Sequence, residues 1–80
     1  MMAVKAFILL ETKVGKTKEV VATLSKIDGM KSVDAVTGPY DIITVIEEND
    51  LNAIGNLVTR SIHTIDGVIR TVTCPSISIS

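Results

Sequence analysis

Eighty residues hold one domain, 1–80, with no room for a second, and a chain this short buries only about 60–65 % of the surface its unfolded form exposes. A formal net charge of −1 excludes a surface built for the phosphate backbone, which needs clustered Lys and Arg, so no direct nucleic-acid partner is expected. A single cysteine, Cys74, excludes an internal disulfide, and the apolar run from Ala6 to Leu10 is too short for a secretory signal or a membrane span; a cytoplasmic protein with no membrane partner is expected.

Residues 3–12 alternate Val4, Ala6, Ile8 and Leu10 with Lys5, Phe7, Leu9 and Glu11. Both sets are apolar in mid-strand, which predicts a central strand covered on both faces. Residues 15–28 place Val20, Val21, Leu24 and Ile27 at helical spacing, with Gly29 as the stop. Lys13, Lys16 and Lys18 gather at the start of this helix, but Glu11 and Glu19 flank them, so a solvated strand end is expected rather than an anion site. Residues 30–37 are more polar, through Lys31, Ser32 and Asp34, and read as an edge strand. Gly38-Pro39 signals a turn, and residues 40–47 contain Ile42-Ile43-Thr44-Val45-Ile46, too apolar for an edge. Asn49 or Asp50 caps a second helix with the stripe Leu51, Ile54, Leu57, Val58 and Ile62. Gly67 opens a last strand over 68–74. Pro75 cannot donate to a ladder, so residues 76–80 are at best an edge extension.

Ile27-Asp28-Gly29-Met30 recurs 38 residues later as Ile65-Asp66-Gly67-Val68, each time where a helix hands over to a strand. The same shift lays the first strand on the third and the first helix on the second, so the chain reads as two successive βαβ units. Right-handed crossovers and interlocking place the first and third strands in the centre, as their hydrophobicity also requires. The expected fold is α+β: a ferredoxin-like βαββαβ plait of the dimeric α/β barrel type, an antiparallel four-stranded sheet with two helices on one face. One set from each central strand then remains bare: Val4, Ala6, Ile8 and Leu10 or Phe7 and Leu9 from the first, and Tyr40, Ile42 and Ile46 or Ile43 and Val45 from the third. At about 25 cal/mol per Å², a few hundred Å² of it contributes on the order of 10 kcal/mol to a sheet-to-sheet homodimer before association costs.

Catalytic residues, a metal site and a cofactor are not expected. His63 is the only histidine and reads as a cation near a helix C-terminus, away from the buried stripe or at its margin. Glu47, Glu48 and Asp50 read as a solvated loop and cap, and no Gly-rich phosphate loop or nucleophile elbow is present. The candidate site is the hairpin Thr37-Gly38-Pro39-Tyr40-Asp41. Tyr40 brings a flat surface, Asp41 an anion and Thr37 a small donor and acceptor, a set suited to an amino acid. The competing reading is an ordinary turn in which Asp41 accepts from backbone amides.

The stretch from Thr37 to Glu47 resembles the G-x-Y-D-hydrophobic element of the Lrp/AsnC feast/famine regulators, in their C-terminal effector-binding (RAM) domain. The resemblance extends through Phe7-Ile8-Leu9, Gly15-Lys16, Ile65-Asp66-Gly67-Val68 and Arg70-Thr71-Val72-Thr73. It implies a homodimer built sheet to sheet, dimers closing into an octamer or similar ring, and an amino-acid effector in the cleft between neighbouring dimers. Carried over, Thr37, Gly38, Tyr40 and Asp41 line that cleft, with Thr71 and Thr73 of the last strand as further candidates. The first strand follows Met1 almost at once, so this is expected to be the stand-alone form without the helix-turn-helix domain. It would sense an effector, or co-assemble with a full-length Lrp/AsnC regulator.

Two other readings share the plait. A cofactor-free monooxygenase of the dimeric α/β-barrel kind needs a closed internal pocket, for which Thr44 and His63 are the inward polar candidates. An ACT-like amino-acid-binding regulatory module pairs its sheets edge to edge.

Overall fold

The computed structural model describes residues 3–77. Its elements are β1 (Val4–Thr12), α1 (Thr17–Leu24), β2 (Met30–Ala35), β3 (Ile42–Glu48), α2 (Leu51–Leu57) continued by a π-helical turn (Val58–Ile62), and β4 (Val68–Pro75). The antiparallel sheet has the order β2-β3-β1-β4, so the two most apolar strands are central and the fold is the ferredoxin-like plait. Residues 78–80 of the expected edge extension lie outside the described residues. Within them, the Ser76 amide continues the ladder past Pro75 by donating to the Lys5 carbonyl at 2.8 Å.

Register decides which face each residue takes. Ile8 pairs with Thr44, Leu10 with Ile42 and Ala6 with Ile46, and all six are buried beneath the helices. Val20 and Leu24 of α1, Ile54 of α2 and Val58 and Ile62 of the π turn complete this core. Thr44, a polar residue in the middle of it, donates its hydroxyl to the Ser32 carbonyl, beside the register shift between Met30 and Ser32. Its hydroxyl is thus engaged by the neighbouring strand rather than aimed into a cavity. The opposite face carries Phe7, Leu9, Ile43, Val45 and Val72, with no element over it; Phe7 remains 38 % exposed in mid-strand.

Helix α1 ends at Leu24, earlier than its apolar spacing implies. The Lys26 and Ile27 amides turn to the Thr23 and Leu24 carbonyls, tightening the last turn before Gly29. Of the two possible caps of α2, Asp50 is the one used: its carboxylate accepts from the Ala53 amide at 2.8 Å.

The repeated Ile-Asp-Gly segments have one geometry. Gly29 and Gly67 adopt φ of 94° and 101°, and Met30 and Val68 donate to the Ile27 and Ile65 carbonyls at 3.4 and 3.2 Å. Gly67 is also a packing site. A Cβ there would lie 2.9 Å from Lys16 Cβ and 3.1 Å from Val20 Cγ2, so the α2–β4 turn closes directly on α1. Gly38 has a positive φ of 131° but nothing within 4 Å. Gly67→Ala is therefore expected to cost about 2–4 kcal/mol, strain and overpacking together, and Gly38→Ala about 1 kcal/mol from strain alone. Urea unfolding of the two variants measures the difference.

Candidate functional site

The hairpin between β2 and β3 is closed by main-chain bonds that include the central strand. The Val36 amide donates to the Asp41 carbonyl, and the Asp41 amide donates to the Leu10 carbonyl, both at 2.9 Å. Just beyond the last β1–β3 pair, Leu10 with Ile42, the Thr12 amide donates to the Asp41 carboxylate at 2.8 Å. Asp41 therefore fastens the hairpin to the end of β1. Thr37, Pro39 and Tyr40, with Leu9, Val36 and Ile43, line a mostly apolar hollow of about 300 Å³ on the uncovered face of the sheet.

The second concavity lies on the other side. A groove of about 420 Å³ runs between α2 with its π turn and the edge strand β4. Leu51, Ile54 and Val58 give it an apolar floor, with Pro75 at one end and the bare backbone of Gly55 in its wall. Its polar groups are Thr59, His63, Thr71 and Thr73. Thr71 and Thr73 face it because they pair with Leu10 and Ile8, whose side chains lie on the helix-covered face. His63 Nε2 and Thr71 Oγ1 are hydrogen-bonded at 2.7 Å.

His63 reaches this groove through a feature that helical spacing does not show. Continued as an α-helix, the chain would place His63 roughly 140° around the axis from Val58, toward solvent. The His63 amide instead donates to the Val58 carbonyl at 2.8 Å, an i→i+5 bond. The extra residue in that turn rotates His63 back by about 100°, toward β4. Of the two placements expected for His63, away from the stripe or at its margin, the exposed side chain takes the margin, at the edge of the groove.

Of the residues singled out in the sequence, the fold brings Thr71 and Thr73 together in the groove and Thr37 and Tyr40 together at the hollow. Gly38 stands open at the hairpin tip, and Asp41 is turned toward β1. Within one chain the two sets face opposite sides of the sheet. Among the described residues, no three of His, Cys, Asp and Glu come together as metal ligands. Cys74 is exposed, opposite Phe7 on the uncovered face. Among the described residues no helix is long and apolar enough to cross a membrane.

The model of the family described as the Lrp/AsnC ligand binding domain matches residues 5–79. Among solved structures, FFRP-DM1 superposes with a TM-score of 0.88 at 32 % identity, over 92 % of this chain and 99 % of that one. Escherichia coli AsnC gives 0.89 at 23 % identity, over 95 % of this chain and 52 % of that one. A Neisseria meningitidis transcriptional regulator in complex with L-Met gives 0.85 at 22 % identity, over 94 % and 50 %. The chain thus spans about half the length of these two regulators, and at such identities the likeness is one of fold. A search of curated proteins found no match.

Removing the Asp41 carboxylate leaves the part-buried Thr12 amide without an acceptor. Asp41→Ala is expected to lose about 1–2 kcal/mol in urea unfolding and Asp41→Asn, which keeps an acceptor oxygen, less than half of that. Equal losses in the two variants would show that the Thr12 contact contributes nothing.

Proposed function

Because this chain belongs to the Lrp/AsnC ligand-binding domain family, we propose that residues 1–80 act as one effector-binding and oligomerisation unit for an amino acid or a closely similar metabolite. The observation that supports this most is the chemistry of the α2–β4 groove. Leu51, Ile54 and Val58 suit an aliphatic side chain, while His63, Thr71 and Thr73 offer a cation or donor and two hydroxyls to a carboxylate. A volume of about 420 Å³ admits such a molecule but leaves it open to solvent on one side.

A second copy supplies the missing wall. Thr37, Gly38 and Tyr40 stand on a hairpin whose base is held by Asp41, and a ring of dimers sets the hairpin of one dimer against the groove of the next. Within each dimer the uncovered faces pack together, burying Phe7, Leu9, Ile43 and Val45. The protein works in the cytoplasm without catalysis or cofactor, without binding DNA directly, and acts by sensing its effector or by joining a full-length Lrp/AsnC regulator. The monooxygenase reading lacks support from Thr44, whose hydroxyl bonds to β2, and His63 opens onto a surface groove rather than a closed chamber.

Thermal unfolding in the presence of each of the twenty amino acids at millimolar concentration tests the ligand. A ligand at 100 times its dissociation constant adds about 2.7 kcal/mol, and Thr71→Val or Thr73→Val should remove most of the resulting shift. A panel without any shift sinks the sensing role. Sedimentation at micromolar concentration tests the assembly: a particle that is a multiple of the 8.5 kDa chain is expected, reduced to smaller species by Leu9→Glu on the bare face. A folded 8.5 kDa particle for the unaltered chain sinks the shared site.

A further inference from the structure

Arg70 and Thr71 are neighbours on β4 and, by the alternation of a strand, point to opposite faces of the sheet. Thr71 enters the groove, where it meets His63. Arg70 lies on the uncovered face, with its guanidinium carbon 6.0 Å from the centre of the Tyr40 ring. Only β1 stands between β4 and the hairpin: Leu10 is the ladder partner of Thr71, and its carbonyl accepts from the Asp41 amide.

We propose that Arg70 is a positioning residue that ties the hairpin to β4, so that the setting of Thr71 in the groove biases the setting of Tyr40. This rests on the reading that groove and hairpin are the two halves of one kind of effector site, and adds how one half influences the other within a chain. In a ring the consequence is regulatory: a ligand that engages Thr71 in one groove biases the hairpin that the same chain offers to its neighbour.

The hairpin has few other restraints. Asp41 holds its β3 end through Thr12 and Leu10, a Cβ built on Gly38 would meet nothing within 4 Å, and the hollow of about 300 Å³ beside Tyr40 leaves that ring partly uncovered. Glu11, directly opposite Arg70, forms no ion pair with it among the described residues, so the flat guanidinium is available to lie over the ring. The register shift that frees Ile69 from the ladder sits just before Arg70 and lets this part of β4 adjust without dragging the whole strand.

Amide hydrogen exchange of the full chain, read by NMR without added ligand, tests the link. The Val36 and Asp41 amides report the hairpin, and the β1–β3 ladder reports global opening. Arg70→Gln and Tyr40→Leu are each expected to speed hairpin exchange about 2- to 5-fold relative to the ladder. Tyr40→Phe keeps the ring and should leave the rate unchanged, and combining Arg70→Gln with Tyr40→Leu should add nothing to either alone. Thr71→Val, which removes the partner of His63, should alter hairpin exchange in the native background but not alongside Arg70→Gln. Hairpin exchange indifferent to Arg70→Gln, or a Thr71→Val effect of equal size in both backgrounds, overturns the proposal. An effector screen that fails while this cycle holds would instead overturn the functional reading alone.

Discussion

The buried row of Ala6, Ile8, Leu10, Ile42, Thr44 and Ile46 engages both helices, and among the described residues no element is left to cover Phe7, Leu9, Ile43, Val45 and Val72. Two helices packed on one side of four strands is all the cover this chain describes. The constraint acts on the sequence directly. A strand with one wet face alternates apolar and polar residues, whereas β1 and β3 keep aliphatic residues in both phases. The bare face is rimmed by Lys5, Glu11, Glu47 and Arg70, with both signs present, a composition that suits a copy of itself better than a surface of one charge.

What could be read in advance follows from how local its cause is. The central position of β1 and β3 was legible because burial on both faces writes a continuous apolar run. The repeat of Ile27–Met30 in Ile65–Val68 was legible because a helix-to-strand turn needs a glycine at positive φ, and both glycines have one. The cap at Asp50 follows from a side-chain oxygen three residues ahead of a free amide. The π turn was not legible: it depends on where β4 lies, and the spacing of Val58 and Ile62 fits an α-helix equally well. For the same reason the spacing left His63 open between the far side of the helix and the margin of its stripe. The partner of Asp41 was hidden too, since Thr12 is 29 residues away and its amide meets Asp41 only once β1 and β3 are paired. Thr71 and Thr73 were named from family resemblance. Their direction became known only through pairing with Leu10 and Ile8.

The duplication of the frame sharpens the case for one special groove. Shifting by the 38 residues of the repeat, Thr71 corresponds to Val33 and His63 to Ser25. Val33 packs against the core, and the Ser25 hydroxyl turns back to the Val21 carbonyl of its own helix at 2.8 Å. At these two positions the first half therefore presents an apolar side chain and a hydroxyl bonded within its own helix. The second half, with a longer edge strand and a widened helical turn, leaves an imidazole and two hydroxyls beside an aliphatic floor. The two halves thus share a topology but differ in chemistry, and it is the second half that carries the groove of the proposed site.

The placement of the two candidate sets on opposite faces has a thermodynamic consequence. No single chain can close its own hairpin over its own groove, because the sheet stands between them. A ligand that touches both sets must bridge two copies, and it then binds the assembled state better than the separated one. Binding and assembly become one linked equilibrium, so ligand strengthens the assembly by the factor with which assembly strengthens ligand binding. The hairpin can take part in that exchange because it is held at one end by Asp41 and otherwise lightly restrained. A hairpin packed as firmly as the core would have a single setting whether or not a neighbour were present. One with no anchor would lose too much conformational freedom on docking to favour either state. The Asp41–Thr12 bond lies between these limits: it fixes the base of the hairpin on β1 and leaves Gly38 at its tip with open space around it.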